Sequence, residues 1–113
     1  MNPCPTFFAP AAWDALNALA DDVRPLGAEL FVFGSFATGR QRKTSDADIG
    51  VHWTGAPSIK VFANIVDRIE ALPTMRTFDT VDFSIVDPEF AAIALRATIA
   101  LGQHSHPQEV RNG

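Results

Sequence analysis

The chain has 113 residues, of which 47% are hydrophobic and 19% are charged, and this balance predicts a single globular domain spanning residues 1–113. A net charge of −4 argues against a protein that coats nucleic acid or an anionic membrane through a basic face. One cysteine, Cys4, excludes an internal disulfide and a thiolate zinc cluster, and with no leader-like segment or membrane-length apolar run we expect a cytoplasmic protein.

The first half of the chain predicts a helix and two strands. Apolar residues recur at helical spacing over Pro10–Val23. The run AELFVF at Ala28–Phe33 has the length and composition of a buried strand and ends at Gly34. The alternating run DADIGVHW at Asp46–Trp53 predicts a second strand, and we expect a short helix between the two strands.

The second half predicts helix, strand and helix. Apolar spacing indicates a helix that begins near Ser58, and the run TVDFSIV predicts a third strand over Thr80–Val86. Asp87 followed by proline is typical of a helix start, and Gly102 of a helix end. Residues 103–113 are polar and predict a loosely held tail. The fold class expected from this order is α/β, a small mixed sheet flanked by about four helices.

Gly34 and Ser35 directly follow the first strand. A glycine there lets a phosphate approach the backbone, and Ser35 adds a hydroxyl next to the N–H groups of the following turn. The pair is therefore a candidate phosphate cradle. An ordinary turn is the alternative, since Gly-Ser after a strand is common in turns.

Asp46 and Asp48 lie two residues apart in a strand and so project from the same face, while Ala47 and Ile49 point into the core. Two adjacent carboxylates repel each other, and Mg²⁺ would relieve that repulsion. The alternative is a solvated strand edge that carries aspartates to discourage aggregation.

Asp82 stands in the middle of the otherwise apolar third predicted strand, between Val81 and Phe83. A lone carboxylate there is costly unless it has a partner, so it is a candidate third ligand beside Asp46 and Asp48. The alternative is the exposed face of an edge strand.

Together, Gly34-Ser35, the Asp46-Ala47-Asp48 triplet after ten residues, and the later Val81-Asp82-Phe83 resemble the signature of the nucleotidyltransferase superfamily that includes DNA polymerase beta. The glycines at 34 and 39 followed by Ser45 resemble, more narrowly, the minimal nucleotidyltransferase (MNT) proteins of prokaryotes. The chain departs from this pattern at Phe36, where many MNT proteins carry arginine. Positive charge for phosphate then falls to three other residues: Arg40, Arg42 and Lys43.

The resemblance implies a nucleotidyltransferase fold and a catalytic site with two Mg²⁺ ions and a nucleoside triphosphate. Asp46 and Asp48 would hold both ions. Asp82 would complete the metal shell and accept the proton of the attacking hydroxyl. Gly34 and Ser35 would hold the triphosphate.

The resemblance also implies a partner. MNT proteins of this size pair with a helical HEPN ribonuclease toxin, and family members act as antitoxins that transfer AMP from ATP to a tyrosine hydroxyl of the toxin. This chain contains no tyrosine, so the acceptor would lie on the partner. The alternatives are nucleotidylation of a small molecule such as an aminoglycoside, and a non-catalytic antitoxin that acts by binding alone. His104 and His106 could bind metal, but a His-x-His pair without a third ligand is more typical of a solvated tail.

Overall fold

A computed structural model describes residues 8–34, 47–74 and 77–102. Within these ranges the elements are α1 (Pro10–Val23), a 3₁₀ helix (Arg24–Leu26), β1 (Ala28–Phe33), β2 (Ala47–Trp53), α2 (Ile59–Glu70), β3 (Phe78–Asp82), α3 (Pro88–Ala94) and β4 (Thr98–Ala100). No helix in the described ranges combines the length and the apolar character that crossing a bilayer requires.

The four strands form one mixed sheet in the order β3-β2-β1-β4. β1 is antiparallel to β2 and to β4, whereas β2 and β3 are parallel and are connected through α2. The predicted mixed α/β fold is therefore confirmed. The described residues contain three α-helices, fewer than the four expected, and the short helix predicted after Gly34 lies outside them.

The hydrophobic core lies between one face of the sheet and the helices α1 and α2. Alternation along β1 and β2 directs every second side chain to this face, and Val32, Ile49 and Val51 are completely buried there. Apolar residues at helical spacing form the opposite side of the core, where Trp13 of α1 is 1% exposed and Ile65 of α2 is fully buried. Each such side chain contributes about 1.5–3 kcal/mol relative to an exposed position, so this layer is the main source of stability.

Helix starts agree with the sequence prediction. The Ser58 hydroxyl accepts a hydrogen bond from the Val61 N–H at 3.2 Å and caps α2. The Asp87 carboxylate accepts from the Phe90 N–H at 2.9 Å, and Pro88 occupies the first turn of α3. Both caps satisfy backbone donors that no residue of the helix itself can pair.

The predicted helix from Asp87 to Gly102 is wrong in its second half. The helix ends at Ala94, and Thr98–Ala100 form β4 against β1. The Leu101 N–H continues this pairing by donating to the Leu30 carbonyl at 3.1 Å. The apolar spacing of this segment fits a helix as well as a strand, and the unpaired edge of β1 decides between them by offering hydrogen bonds.

The third strand lies earlier in the chain than predicted. It covers Phe78–Asp82 instead of Thr80–Val86. It stops because the Asp82 carboxylate accepts a hydrogen bond from the Ser84 N–H at 2.8 Å, which turns the chain away from the sheet. Ile85, expected on the apolar face of that strand, is consequently 81% exposed.

Candidate active site

The second face of the sheet, opposite the core, is built differently from the first. Phe31 and Phe33 from β1 lie on it with Phe83, which follows β3; the Phe83 ring centroid is 5.1 Å from that of Phe31 and 5.2 Å from that of Phe33. Gly50 of β2 lies beneath them, and a side chain there would overlap the rings of Phe31 and Phe83. Phe90 of α3 stacks edge-on against Phe33 with ring centroids 6.1 Å apart, so α3 covers part of this face.

Gly34 and Asp48 meet at one end of this second face. Phe33 pairs with Asp48 across β1 and β2, which places Gly34 beside the aspartate. Gly34 has φ +77°, a left-handed conformation that favours glycine, and a Cβ on it would overlap the Asp48 carboxylate. The glycine therefore both ends the strand and makes room for the acid. The structure brings together these two residues, which the sequence had predicted to act in one site.

A cavity of about 610 Å³ opens at this point. Gly34 and Asp48 lie on its sheet side, whereas Phe90 and Ile93 of α3 form its apolar wall. The remaining charged residue of the lining is Arg96, from the loop between α3 and β4. The sequence analysis missed Arg96 because it assigned that segment to a continuous helix, and only the position of β4 brings the loop to the cavity.

Asp82 does not lie beside Asp48 in this structure. In the parallel register Asp82 pairs with Val51, three residues beyond Asp48, and an odd offset puts two residues on opposite faces of a sheet. The Asp82 carboxylate accepts hydrogen bonds from the Trp53 Nε1–H at 2.9 Å and from the Ser84 hydroxyl at 2.6 Å. The register therefore places the Asp82 and Asp48 carboxylates on opposite faces of the sheet, because Asp82 pairs with Val51 and not with Asp48.

The hydrogen bonds also set the ionisation of Asp82. Partial burial raises the pKa of this carboxyl, but the bonds from Ser84 and Trp53 favour the charged form and outweigh it. The net result is a pKa below the ordinary value of 3.8. At neutral pH Asp82 is a charged acceptor that holds a turn and the indole of Trp53 in place.

Asp79 occupies the position across from Asp48. The two residues pair in the register of β2 and β3, and directly paired residues of parallel strands point to the same face. Asp79 is exposed at the edge of the sheet. From the sequence, Asp79 is only a substitute to be tested if Asp82 proves not to be catalytic, and it stands outside the predicted strand, which begins two residues later than the observed one.

The remaining predicted site residues lie outside the described ranges: Ser35, Arg40, Arg42, Lys43 and Asp46, together with His104 and His106 of the tail. Within the described ranges, no three His, Cys, Asp or Glu side chains are grouped as a metal site would require. Asp48 nevertheless suits a Mg²⁺ ligand, since it supplies carboxylate oxygens beside a glycine that leaves space for a phosphate. The cavity therefore combines the Asp48 carboxylate, the accessible backbone at Gly34 and the positive charge of Arg96.

Comparison with known proteins identifies the family of this chain and proteins of similar fold. The family model described as "Polymerase beta, Nucleotidyltransferase" matches residues 28–106. Two solved structures each have a TM-score of 0.62, with 88% of this chain and 77% of theirs covered. One is a toxin-antitoxin crystallised with AMP-PNP, at 18% identity, and the other is a mutant of the toxin-antitoxin MntA-HpeT, at 16%. No curated protein gives a significant match.

Proposed function

Because the chain belongs to the polymerase beta nucleotidyltransferase family, we propose that it transfers AMP from ATP to a hydroxyl of a HEPN ribonuclease toxin and thereby neutralises it. The observation that carries the proposal is the meeting of Gly34 and Asp48 at an open cavity. The likeness in fold to a toxin-antitoxin crystallised with AMP-PNP supports both the nucleotide and the type of partner.

The proposed reaction is a single displacement at phosphorus. The acceptor oxygen attacks the α-phosphorus of ATP, the bond to pyrophosphate breaks, and a carboxylate accepts the hydroxyl proton. Asp46 and Asp48 would hold Mg²⁺, which when bound supplies charge neutralisation of the phosphates and activation of the hydroxyl. Gly34 and Ser35 would receive the polyphosphate, since no side chain at residue 34 blocks its approach.

The third carboxylate is where the sequence pattern and the strand register disagree. The family pattern selects Asp82, which is engaged with Trp53 and Ser84 on the core face. The register selects Asp79, which faces the same side as Asp48. Asparagine variants of the two residues, Asp79→Asn and Asp82→Asn, therefore assign the role. The variant of the catalytic aspartate should lose AMP transfer, and the other variant should retain it.

The acceptor is proposed to come from the partner. The chain contains no tyrosine. The cavity wall formed by α3 is open and apolar, with Phe90 41% and Ile93 63% exposed. Such a wall suits the body of an aromatic side chain whose hydroxyl reaches toward Asp48.

The test uses the protein, α-labelled ATP, Mg²⁺ and the helical protein encoded by the neighbouring gene. Intact-mass measurement should show the partner gaining one or more AMP groups, and ribonuclease activity of the partner should fall in parallel. Asp48→Asn should give no added mass, whereas Asp67→Asn, an exposed aspartate of α2, should behave as wild type. Neutralisation of the partner without added mass would instead establish an antitoxin that acts by binding alone. Transfer to aminoglycosides but not to the partner would establish a small-molecule enzyme.

A further inference from the structure

The cavity beside Asp48 has an unusual balance of charge. Among its described lining residues, Asp48 is the one acid and Arg96 the one base, and the other walls are apolar or glycine. A polyphosphate that enters beside the Asp48 carboxylate meets like charge, so positive charge on another wall of the cavity would favour its binding. Arg96 is the described residue that provides it.

The two other arginines that the structure describes, Arg24 and Arg68, both have acidic partners. Arg24 lies 3.4 Å from Glu29, and Arg68 lies 3.0 Å from Asp22. The Arg96 guanidinium, by contrast, is exposed and forms no ion pair or hydrogen bond with the described residues, Asp48 included. Its backbone is held in place, because the Arg96 N–H donates to the Ile93 carbonyl at 3.2 Å.

From this geometry we infer that Arg96 binds the polyphosphate of the donor nucleotide, from the α3 side of the cavity opposite Asp48. The inference rests on the proposed function and adds a residue that lies far in sequence from the glycine-serine turn. A guanidinium is suited to this position because its planar fork binds two phosphate oxygens at once and stays charged at every physiological pH. Arg96 also lies two residues beyond the end of α3, where its positive charge would stabilise the helix C-terminus with or without nucleotide. This structural role is the alternative to phosphate binding.

Calorimetric titration of the 113-residue chain with ATP, inorganic tripolyphosphate and adenosine, in the presence of Mg²⁺, separates the phosphate-binding role from the structural one. We expect Arg96→Ala to raise the dissociation constants of ATP and tripolyphosphate about tenfold, the usual effect of one lost charged hydrogen bond. Adenosine binding should not change. Arg96→Lys should recover part of the loss, since it restores the charge without the fork.

Lys60→Ala is the matched control, since it removes one positive charge from the exposed first turn of α2, outside the cavity lining. It should leave all three dissociation constants within about twofold of wild type.

Equal ATP binding by wild type and Arg96→Ala would overturn the inference and leave the proposed function standing. Failure of the wild-type chain to bind ATP would overturn both. A loss of adenosine binding equal to that of ATP would also overturn it, because a phosphate contact cannot act on a ligand without phosphate.

Discussion

The two faces of the sheet follow different rules, although they are made from the same strands. On the core face, Val32, Ile49 and Val51 are fully buried under α1 and α2. On the other face, the neighbouring positions hold Asp48 and Gly50, and a cavity of about 610 Å³ opens beside them. The core face is filled by apolar side chains, whereas the opposite face holds a cavity and a carboxylate. The odd-numbered residues of β2 can therefore stabilise the fold while its even-numbered residues are available for the proposed reaction.

Asp48→Asn should break the second face alone, and its effect on activity is the largest expected here. Transfer of AMP should fall to background, because asparagine is a poor ligand for Mg²⁺ and cannot replace the charge of the carboxylate. The melting temperature should stay close to that of wild type, since the residue is not part of the core. Intact-mass assays together with thermal unfolding give both measurements.

A melting temperature lowered as far as that of a core variant would contradict this separation of the two faces. Asp67→Asn serves as the control for loss of a carboxylate at an exposed site, and it should change neither quantity.

Ile49→Ala should destabilise the core face of the sheet. Ile49 is completely buried, so its truncation leaves a cavity and should cost about 2–5 kcal/mol in the free energy of unfolding. Ile93→Ala is the matched change on the other side, where the side chain is 63% exposed, and it should cost less than about 0.5 kcal/mol. Urea titration of both variants gives the comparison. Equal losses would mean that α3 is packed as tightly as the core helices.

The core face was the part that could be predicted from the sequence. The bounds of α1 and β1 agree with the prediction because apolar residues recur there with one clear period, and the burial of Ala47 and Ile49 follows from simple alternation. Long-range pairing could not be predicted in the same way. Whether Asp79 or Asp82 faces Asp48 depends on the register between β2 and β3, and a shift of an odd number of residues exchanges the faces.

The candidate site was predictable only where its residues are near one another in sequence or in one hairpin. Gly34 and Asp48 meet because β1 and β2 are paired antiparallel neighbours. Arg96 reaches the cavity because β4 returns to the free edge of β1, which no local pattern in the segment reveals.

Gly34→Ala should lower both stability and activity, because Gly34 follows β1 directly and lies beside Asp48. Alanine at φ +77° costs about 1–2 kcal/mol, and its Cβ would displace the Asp48 carboxylate. We therefore expect lower stability together with a loss of transfer. Gly55→Ala is the control, because that glycine is exposed, has no positive φ and has open space around the position of a Cβ. It should be neutral or slightly stabilising. A fully active Gly34→Ala would show that the position of Asp48 does not depend on this glycine.

The smallest expected effect concerns Asp82, and it measures how far this residue serves structure. The carboxylate accepts hydrogen bonds from Trp53 and Ser84, and its pKa in the folded protein lies below the ordinary 3.8. A group whose pKa is lowered by folding stabilises the folded state above its unfolded pKa, and that contribution disappears as the pH falls through the folded value. Wild type should therefore exceed Asp82→Asn in unfolding free energy by up to about 1 kcal/mol at neutral pH. The difference should be constant down to about pH 5 and should shrink below 3.8.

Urea titrations of the two proteins between pH 3 and 7 give this profile, with Asp67→Asn as the reference for an exposed aspartate. A variant as stable as wild type at neutral pH would mean that the bonds to Trp53 and Ser84 contribute nothing net, and would free Asp82 for the catalytic role that the sequence pattern assigns to it.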